Sequence, residues 1–200
     1  MKVVFNKAYK LMITGMCIVA CICLSACNAS NDKANQLINE NGHKYKKATV
    51  KTPKGTEVTT WKYTSKLSDE EKKECNKYVE DYYPNAKKLR GPTLSYNCHS
   101  YAWHSTSTDN THWINNPSPY WKDKSYNKYA SSKGTIPKEV TKGSKVVYWD
   151  EKSASHSGIV TKDKTVKSKW GMCGLYEHSP KDCPYSQSDG TFSLTFYKKS

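Results

Sequence analysis

The sequence predicts an α+β domain, because helical patterns come first along the chain and a run of short strand patterns follows. Residues 68–71 read Ser-Asp-Glu-Glu, a capping box that starts a helix running to about Tyr83 and stopping at Pro84. A second helix is expected to begin near Asn97, after Gly91-Pro92. Short stretches of β-branched and aromatic residues then predict four antiparallel strands: Lys145–Trp149, Ser157–Thr161, Thr165–Trp170 and Thr191–Tyr197.

The segments around these elements have weaker patterns. Residues 57–63 predict one weak strand, and Cys75 lies on the apolar face of the first helix, which favours a packed core cysteine over a reactive one. Residues 105–134 are polar and aromatic, with prolines, and are expected to form a long ordered loop over a cleft. Four aromatic residues in and near this loop are interpreted as packing or anchoring residues, with stacking on sugar or peptide as the alternative: Trp103, Trp113, Tyr120 and Trp121.

The N-terminus has the pattern of a targeting segment. Three lysines precede an apolar run from Leu11 to Leu24, which is short for a spanning helix and typical of a secretory signal. Residues 24–27, Leu-Ser-Ala-Cys, resemble a bacterial lipobox, in which Cys27 carries the lipid; the alternative is an uncleaved anchor with an incidental cysteine. The predicted organisation is a signal peptide at 1–26, a flexible tether at 27–60 and a folded domain at 61–200.

Composition narrows the classes of protein. The chain has 32 Lys+Arg against 18 Asp+Glu, a net charge of +14, and removal of residues 1–26 leaves +11. A hydrophobic fraction of 36% argues against a polytopic membrane protein, and 15 Tyr with 6 Trp can cover a core, which argues against disorder. The positive charge favours an anionic partner, but it is spread over single lysines with one arginine, Arg90. Anionic lipid and cell-wall polymer are therefore expected partners of a monomer, and nucleic acid is not.

Cysteine usage fits a compartment outside the cytosol. Cys75, Cys98, Cys173 and Cys183 remain after the signal and the presumed lipid site, and no CxxC pair is left among them. A loop-closing disulfide between Cys173 and Cys183 is expected, with four free thiols as the alternative. The histidines show no recurring metal-ligand spacing, so neither a metal nor another cofactor is expected.

Two residues could carry chemistry together. Cys98 lies in the first turn of the second predicted helix, where free backbone N–H groups and the helix dipole lower a thiol pKa and can bind an oxyanion. His156 opens a predicted strand 58 residues later and could supply the imidazole of a thiolate–imidazole pair. The alternatives are a structural cysteine at a helix start and an exposed or hydrogen-bonded strand histidine.

Three segments resemble the papain-like cell-wall peptidases of the NlpC type and the CHAP-type amidases. Residues 96–100, Tyr-Asn-Cys-His-Ser, resemble the Tyr-Asp-Cys-Ser-Gly nucleophile segment, and residues 143–149, Gly-Ser-Lys-Val-Val-Tyr-Trp, are similar to the strand preceding the catalytic histidine. Residues 156–160, His-Ser-Gly-Ile-Val, resemble the histidine strand itself. The match spans about residues 95–170 in the family's order, although Asn97 replaces Asp and Ser144 replaces the Asp of Gly-Asp. The resemblance implies a papain-like fold, with N-terminal helices packed on a small antiparallel sheet.

The resemblance also implies an activity: Cys98 attacks an amide of a peptidoglycan stem peptide to form a thioester, and His156 shuttles the proton. Backbone N–H groups, with Tyr96 and Asn97, would hold the oxyanion or substrate. No obvious third residue follows His156; Ser168 would orient it weakly, and His178 is either the third member or a surface-strand histidine. His99 points away from the nucleophile round the helix. The alternatives are a binding lipoprotein with a degenerate site, or a secreted amidase acting outside the wall.

Overall fold

The computed structural model describes residues 38–40, 42–186 and 192–200, and it is mostly β. Its strands are β1 (Ile38–Glu40), β2 (His43–Lys51), β3 (Glu57–Tyr63), β4 (Lys87–Arg90), β5 (Tyr126–Lys133), β6 (Lys145–Asp150), β7 (Ser153–Val160), β8 (Val166–Lys169), β9 (Leu175–His178) and β10 (Ser193–Lys199). The helices are α1 (Asp69–Tyr82), a π-helical turn (Ser100–His104) and the four-residue α2 (Pro119–Lys122). Within the described part of the chain, α1 is the only helix of seven or more residues.

The expected α+β, papain-like arrangement is therefore wrong. Seven strands form one antiparallel sheet in the order β4-β9-β8-β7-β6-β10-β5, and β1-β2-β3 form a second, smaller sheet. The second expected helix is only a short turn, since the helical backbone begins at Cys98 and ends at His104. One capped helix and a short turn cannot supply the helical layer that the resemblance implies.

The large sheet is buried on both faces. On β6, Val146 and Tyr148 lie in one hydrophobic core, to which α1 contributes Val79. Val147, between them, lies in a second core with Trp103 of the π-helical turn and with Val50 and Val58 of the small sheet, because successive strand residues point to opposite faces. We call these the first face, with Tyr148, and the second face, with Val147.

The helix α1 begins where the sequence predicts. Ser68 accepts a hydrogen bond from the Glu71 amide, and the Glu71 carboxylate accepts one from the Ser68 amide, which completes the capping box. The Glu71 carboxylate also binds His43 of β2 at 2.7 Å, which ties the helix start to the small sheet. Cys75 and Val79 form its buried side, so the interpretation of Cys75 as a core residue is confirmed.

Two expected loops contain regular structure instead. Residues 43–51 fall in the predicted tether, yet they pair with β3 along its whole length as β2. Residues 105–134 include α2 and the edge strand β5, which pairs with β10. Lysine and serine at the exposed positions of these strands hide the hydrophobic alternation, so only pairing with a neighbour reveals them.

The predicted strands of the second half are confirmed with shifted ends. β6 is one residue longer than expected, β7 begins four residues earlier, and β8 is shorter at both ends. The signal peptide at 1–26 and the lipobox with Cys27 lie outside the described residues, as does Thr191. Among the described residues, no helix is long and apolar enough to span a membrane.

Candidate functional site

Asn97 organises the turn that begins with Cys98. Its side-chain oxygen accepts hydrogen bonds from the amides of Ser100 at 3.0 Å and Ile114 at 3.1 Å, and its side-chain nitrogen donates to the Ile114 carbonyl at 2.7 Å. The asparagine therefore caps the turn and anchors the following loop at once. This use of both polar atoms of the side chain differs from the substrate-binding role that the resemblance implies.

The strand register places His156 on the face of the large sheet opposite to the segment that follows Cys98. His156 pairs directly with Tyr148 across β6 and β7, which places its ring on the first face, whereas the adjacent Ser157 pairs with Val147 on the second face. The segment that follows Cys98 packs on the second face, through a hydrogen bond between His99 and Ser157 and one donated by Trp103 to Ser157. The sheet itself separates the imidazole of His156 from this segment.

His156 is a core residue. Its side chain is 0% exposed, and neither ring nitrogen has a hydrogen-bond partner among the described residues. The ring is stacked on Tyr185 and contacts Tyr148 edge-on, with 5.3 Å between the ring centroids of the histidine and Tyr148. Burial, together with the nearby imidazoles of His178 and His99, holds the pKa of His156 well below its ordinary range. A permanently neutral, enclosed ring is poorly suited to proton transfer with a substrate.

The imidazole that joins the Cys98 segment to β7 is His99. Its Nδ1 lies 2.8 Å from the Ser157 hydroxyl, which accepts a hydrogen bond from Trp103 Nε1 at 2.9 Å. Burial lowers the pKa of His99 to about 4, because desolvation disfavours the imidazolium. The histidine, the serine and the tryptophan therefore form an internal hydrogen-bond chain rather than an open site.

A buried lysine, Lys169, interacts electrostatically with Cys98. Lys169 is 0% exposed, and its ammonium donates hydrogen bonds to the carbonyls of Thr93 at 3.0 Å and Gly171 at 2.7 Å, and to that of Cys173. Burial lowers its pKa to about 8, and the thiols of Cys173, Cys75 and Cys98 act electrostatically in the opposite direction. No motif marks this residue, since a lysine in a short strand pattern is normally a solvated side chain.

Tyr96 belongs to the surroundings of this lysine. The Lys169 ammonium lies 5.5 Å from the centroid of the Tyr96 ring, and the Tyr96 hydroxyl accepts a hydrogen bond from Arg90 at 3.3 Å. Its ring is 3% exposed and stacked with Tyr101. The side chain is therefore placed to hold two cations rather than an oxyanion.

His178 is buried on the first face. Its Nε2 lies 2.7 Å from the Ser168 hydroxyl and its Nδ1 lies 2.7 Å from the Ser179 carbonyl, so both ring nitrogens are occupied. The side chain is 2% exposed, which corrects the interpretation as a surface-strand histidine. Burial lowers its pKa to about 4. Its influence on His156 is electrostatic, and its hydrogen bonds go to Ser168 and Ser179.

The expected disulfide between Cys173 and Cys183 is not formed, since all four described cysteines are thiols. The Cys183 thiol is fully buried and lies against Tyr148 and the Pro180 carbonyl. Cys173 is half-buried and packs against the hydrophobic core of the first face. The two cysteines that are near in sequence thus face different neighbours.

No metal site is formed by the described residues. His104 and His112 are in edge-on contact, with ring centroids 5.2 Å apart, but no group of three histidine, cysteine or carboxylate side chains converges within the described ranges. Burial, and then the nearby Lys62, lower the pKa of both imidazoles, that of His112 to about 4.

The second face carries a set of aromatic and basic side chains towards the edge strand β5. Tyr197 of β10 lies directly between Lys145 of β6 and Lys128 of β5, so the three residues form one row across three strands. Trp121 is stacked on Tyr197, with ring centroids 5.3 Å apart. We call this surface the aromatic–lysine face; its members are Trp121, Tyr126, Lys128, Lys145, Trp149, Tyr197 and Lys199.

The members of the aromatic–lysine face differ in exposure. Trp121, Tyr126, Lys145 and Trp149 are half-buried, Lys128 and Lys199 are exposed, and Tyr197 is buried beneath Trp121. The Lys145 ammonium lies 5.9 Å from the centroid of the Tyr126 ring, and burial lowers the pKa of this lysine to about 8.

The sequence did not predict this surface, because Lys128 lies in a segment that was expected to be a loop. Trp103 and Tyr120 beneath it are buried, which fits the interpretation as packing residues.

Comparison with known proteins adds no assignment: no protein-family model matches the chain, and no curated protein or solved structure is detectably similar to it. The class that the fold and these sites define is a mostly β protein with a two-sided antiparallel sheet.

Proposed function

We propose that this chain is an extracytoplasmic, lipid-anchored binding protein that holds an anionic cell-wall polymer on its aromatic–lysine face. The row of Lys145, Tyr197 and Lys128, with Trp121 stacked on the tyrosine, carries the proposal. Complete burial of His156 on the first face, where its ring nitrogens have no hydrogen-bond partner among the described residues, supports binding without hydrolysis. The positive net charge of the chain supports an anionic partner.

The chemistry of this surface suits a polymer that combines sugars with phosphate or carboxylate groups. Trp121 and Trp149 are half-buried and can each present a flat apolar surface to a sugar ring while their own edges stay packed. Lys128 and Lys199 are exposed at the rim, and their long flexible side chains can carry the ammonium groups to anionic groups of a polymer. Lys145 adds a less hydrated charge, which salt screens less than a fully exposed one.

Co-sedimentation of the purified protein with cell wall, before and after the anionic polymer is stripped, tests this function. Wild type should sediment with intact wall, and binding should weaken as salt is raised. Lys128→Gln and Lys145→Gln should each weaken binding by about two- to fivefold, the range expected for one partly screened ion pair. Lys162→Gln is the matched control, because this lysine is exposed in the turn after β7 and should leave binding unchanged.

Two results would overturn the proposed surface. If the Lys162 control loses as much affinity as the two face variants, binding follows net charge and not this face. If the stripped wall retains the protein equally well, the polymer is not the partner. Attachment to the membrane is tested separately by labelling with a clickable fatty acid, which wild type should incorporate and Cys27→Ala should not.

A second candidate function is amide hydrolysis by Cys98 without His156. The observation that favours it is the position of Cys98 in the first turn after Asn97, within electrostatic range of the Lys169 ammonium, since both features stabilise a thiolate. Alkylation by iodoacetamide at about pH 6 tests it, because an ordinary thiol with a pKa of about 8.5 is almost wholly protonated there. Fast alkylation of wild type but not of Cys98→Ser, with muropeptide cleavage lost in that variant, would support hydrolysis. Alkylation at the rate of a simple thiol would exclude it.

A further inference from the structure

We infer that the hairpin of β2 and β3 lies against anionic phospholipid of the membrane, through lysines on its outer side. The inference rests on the lipid anchor of the proposed function, and it is separate from polymer binding by the aromatic–lysine face. It concerns residues 43–66, which contain β2, the turn, β3 and the three residues after it, and which we call the basic hairpin.

Positive charge is concentrated in the basic hairpin. Its 24 residues contain seven lysines and one acidic residue, Glu57, which gives a net charge of +6. Residues 67–200 contain 21 basic and 15 acidic residues, so they also carry +6, but over 134 residues. The same net charge therefore lies within less than a fifth of the length.

Most of these lysines reach solvent. Lys62 is half-buried and the other six are exposed. Within the described part of the chain, none of the seven forms an ion pair with a carboxylate. The charge is thus available to an anionic partner. The exposed members are Lys44, Lys46, Lys47, Lys51, Lys54 and Lys66.

Strand alternation gives the hairpin an outer side. Val50 and Val58 pair across β2 and β3 and lie in the hydrophobic core of the second face. Lys47 and Lys51 occupy alternate positions of β2, so their side chains point to the opposite, exposed side. Lys54 extends this side into the turn, where it is also exposed. These three lysines form the proposed contact with lipid.

The aromatic side chains of the hairpin contact one another instead of solvent. The Tyr45 ring lies 5.4 Å from that of Trp61 and 5.3 Å from that of Tyr63, between centroids, and Tyr63 contacts Trp113 edge-on. Within residues 43–66, no aromatic side chain is exposed. The outer side thus offers ammonium groups on long stems without a stacking surface. Phosphate headgroups require only such charges, whereas a sugar polymer gains from aromatic contact.

The position of the hairpin in the chain also favours a bilayer. Fifteen residues, 28–42, separate the proposed lipid site Cys27 from β2, and a span of this length reaches at most about 50 Å. A surface tethered so closely meets the bilayer at a high effective concentration, so weak electrostatic contacts are sufficient. Each lysine near anionic lipid contributes about fivefold to the affinity.

The test is binding of the full chain to two kinds of vesicle, phosphatidylcholine alone and phosphatidylcholine with about 30% phosphatidylglycerol. The measured quantity is the ratio of the affinity for anionic vesicles to that for neutral vesicles. The N-terminal apolar segment is present in both measurements, so the ratio isolates the electrostatic contribution. Because vesicles contain no wall polymer, failure here is distinguishable from failure of polymer binding, and fatty-acid labelling tests the anchor separately.

Wild type should prefer anionic vesicles, and the preference should fall as salt is raised. Replacing three outer lysines by glutamine should lower the affinity ratio by about 10- to 100-fold. The matched control replaces three exposed lysines outside the hairpin, which changes the net charge equally and should lower the ratio by less than about threefold. The hairpin variant is Lys47→Gln with Lys51→Gln and Lys54→Gln, and the control is Lys138→Gln with Lys142→Gln and Lys162→Gln.

A gain of binding completes the test. Glu57 is exposed and pairs with Lys51 across the hairpin, on the same outer side. Glu57→Gln should therefore raise the affinity ratio by about fivefold, because it removes the one negative charge of the hairpin. Unfolding of a variant would not produce such a gain.

A wild-type ratio close to one would overturn the inference, as would an equal loss in the hairpin and control variants. A Glu57→Gln variant with an unchanged ratio would also overturn it. If the hairpin variant loses affinity for soluble wall polymer but keeps its preference for anionic vesicles, the lysines serve the polymer and the inference is wrong.

Discussion

The phenol ring of Tyr185 lies flat on the imidazole of His156, with 3.9 Å between the ring centroids and 5° between the ring planes. Tyr148 contacts the same imidazole edge-on. The ring of Tyr148 is itself stacked on Phe192. The histidine is therefore one ring in an aromatic stack on the first face. Its neighbours explain its burial and its neutrality without a catalytic role.

The free energy of unfolding should fall as the pH falls from 6.5 to 5. Burial holds the folded pKa of His99 and His178 at about 4 and that of His156 well below its ordinary range, whereas the unfolded pKa is about 6.5. Below pH 6.5 the unfolded chain gains protons that the folded chain does not. The stability is thus complete above pH 6.5 and is lost by up to about 1.4 kcal/mol per pH unit per histidine as the pH falls.

Urea denaturation at pH 7.0, 6.0, 5.5 and 5.0 measures this effect. The chosen range keeps most carboxylates ionised in both states, so the histidines dominate the change. A free energy of unfolding that stays constant over the range would contradict this prediction, because the folded protein would then take up as many protons on these imidazoles as the unfolded chain does.

His156→Phe should leave the protein at least as stable as wild type at pH 7. Phenylalanine keeps the stack on Tyr185 and removes two buried ring nitrogens that lack partners in the described part of the chain. His156→Ala should instead lower the free energy of unfolding by about 2–4 kcal/mol, because it leaves a cavity. In His156→Phe the loss of unfolding free energy at acidic pH should be smaller by the contribution of one histidine. A loss of more than about 2 kcal/mol in His156→Phe would contradict a purely packed role.

Asn97→Asp, which restores the residue of the peptidase motif, should destabilise the protein by about 1–3 kcal/mol. A carboxylate cannot donate to the Ile114 carbonyl, which lies 2.7 Å from the side-chain nitrogen of Asn97, and the two oxygens would repel each other. Asn127→Asp is the control, since the amide of Asn127 is exposed and bonds only the exposed Ser200 hydroxyl, so that water can solvate an aspartate there. Chemical denaturation of both variants measures the difference, and equal stability of the two would refute this account of Asn97.

Gly158→Ala should cost about 1–3 kcal/mol through overpacking. A Cβ at Gly158 would lie 2.3 Å from Cγ1 of Val166, a fully buried β-branched side chain with little freedom to move. The matched control is Gly91→Ala, where a Cβ meets nothing within 4 Å. Thermal melting should separate the two variants, and a neutral Gly158→Ala would mean that β8 can shift away from β7.

Part of the fold was predictable because it depends on neighbours in sequence. The capping box at Ser68 needs only residues three apart, and the strands β6 and β10 have patterns of apolar residues that any sheet would bury. β2 and β5 could not be recognised in the same way. Their exposed positions carry lysine, serine and asparagine, so only the hydrogen bonds of partner strands reveal them.

The candidate site was predictable only as a set of residue types. Cys98 at a helical start and His156 in a strand were both placed in the correct kind of element. The resemblance assumes that the strand register turns the histidine towards the helix, whereas His156 pairs with Tyr148 and lies on the first face. A shift of one residue reverses the face of a strand side chain, and here His99 with Ser157 makes the contact expected of Cys98 with His156.

The sequence by itself determined the local features of this protein: where α1 begins, where most strands of the second half run, and an excess of positive charge. These follow from backbone hydrogen bonds, side-chain periodicity and composition, which act over a few residues. Only the tertiary structure decided that His156 lies in the core, that Lys169 is buried, and that His99 meets Ser157. The physical reason is that burial and the contact between His99 and Ser157 depend on which segments pack together and on strand register, which no short segment encodes.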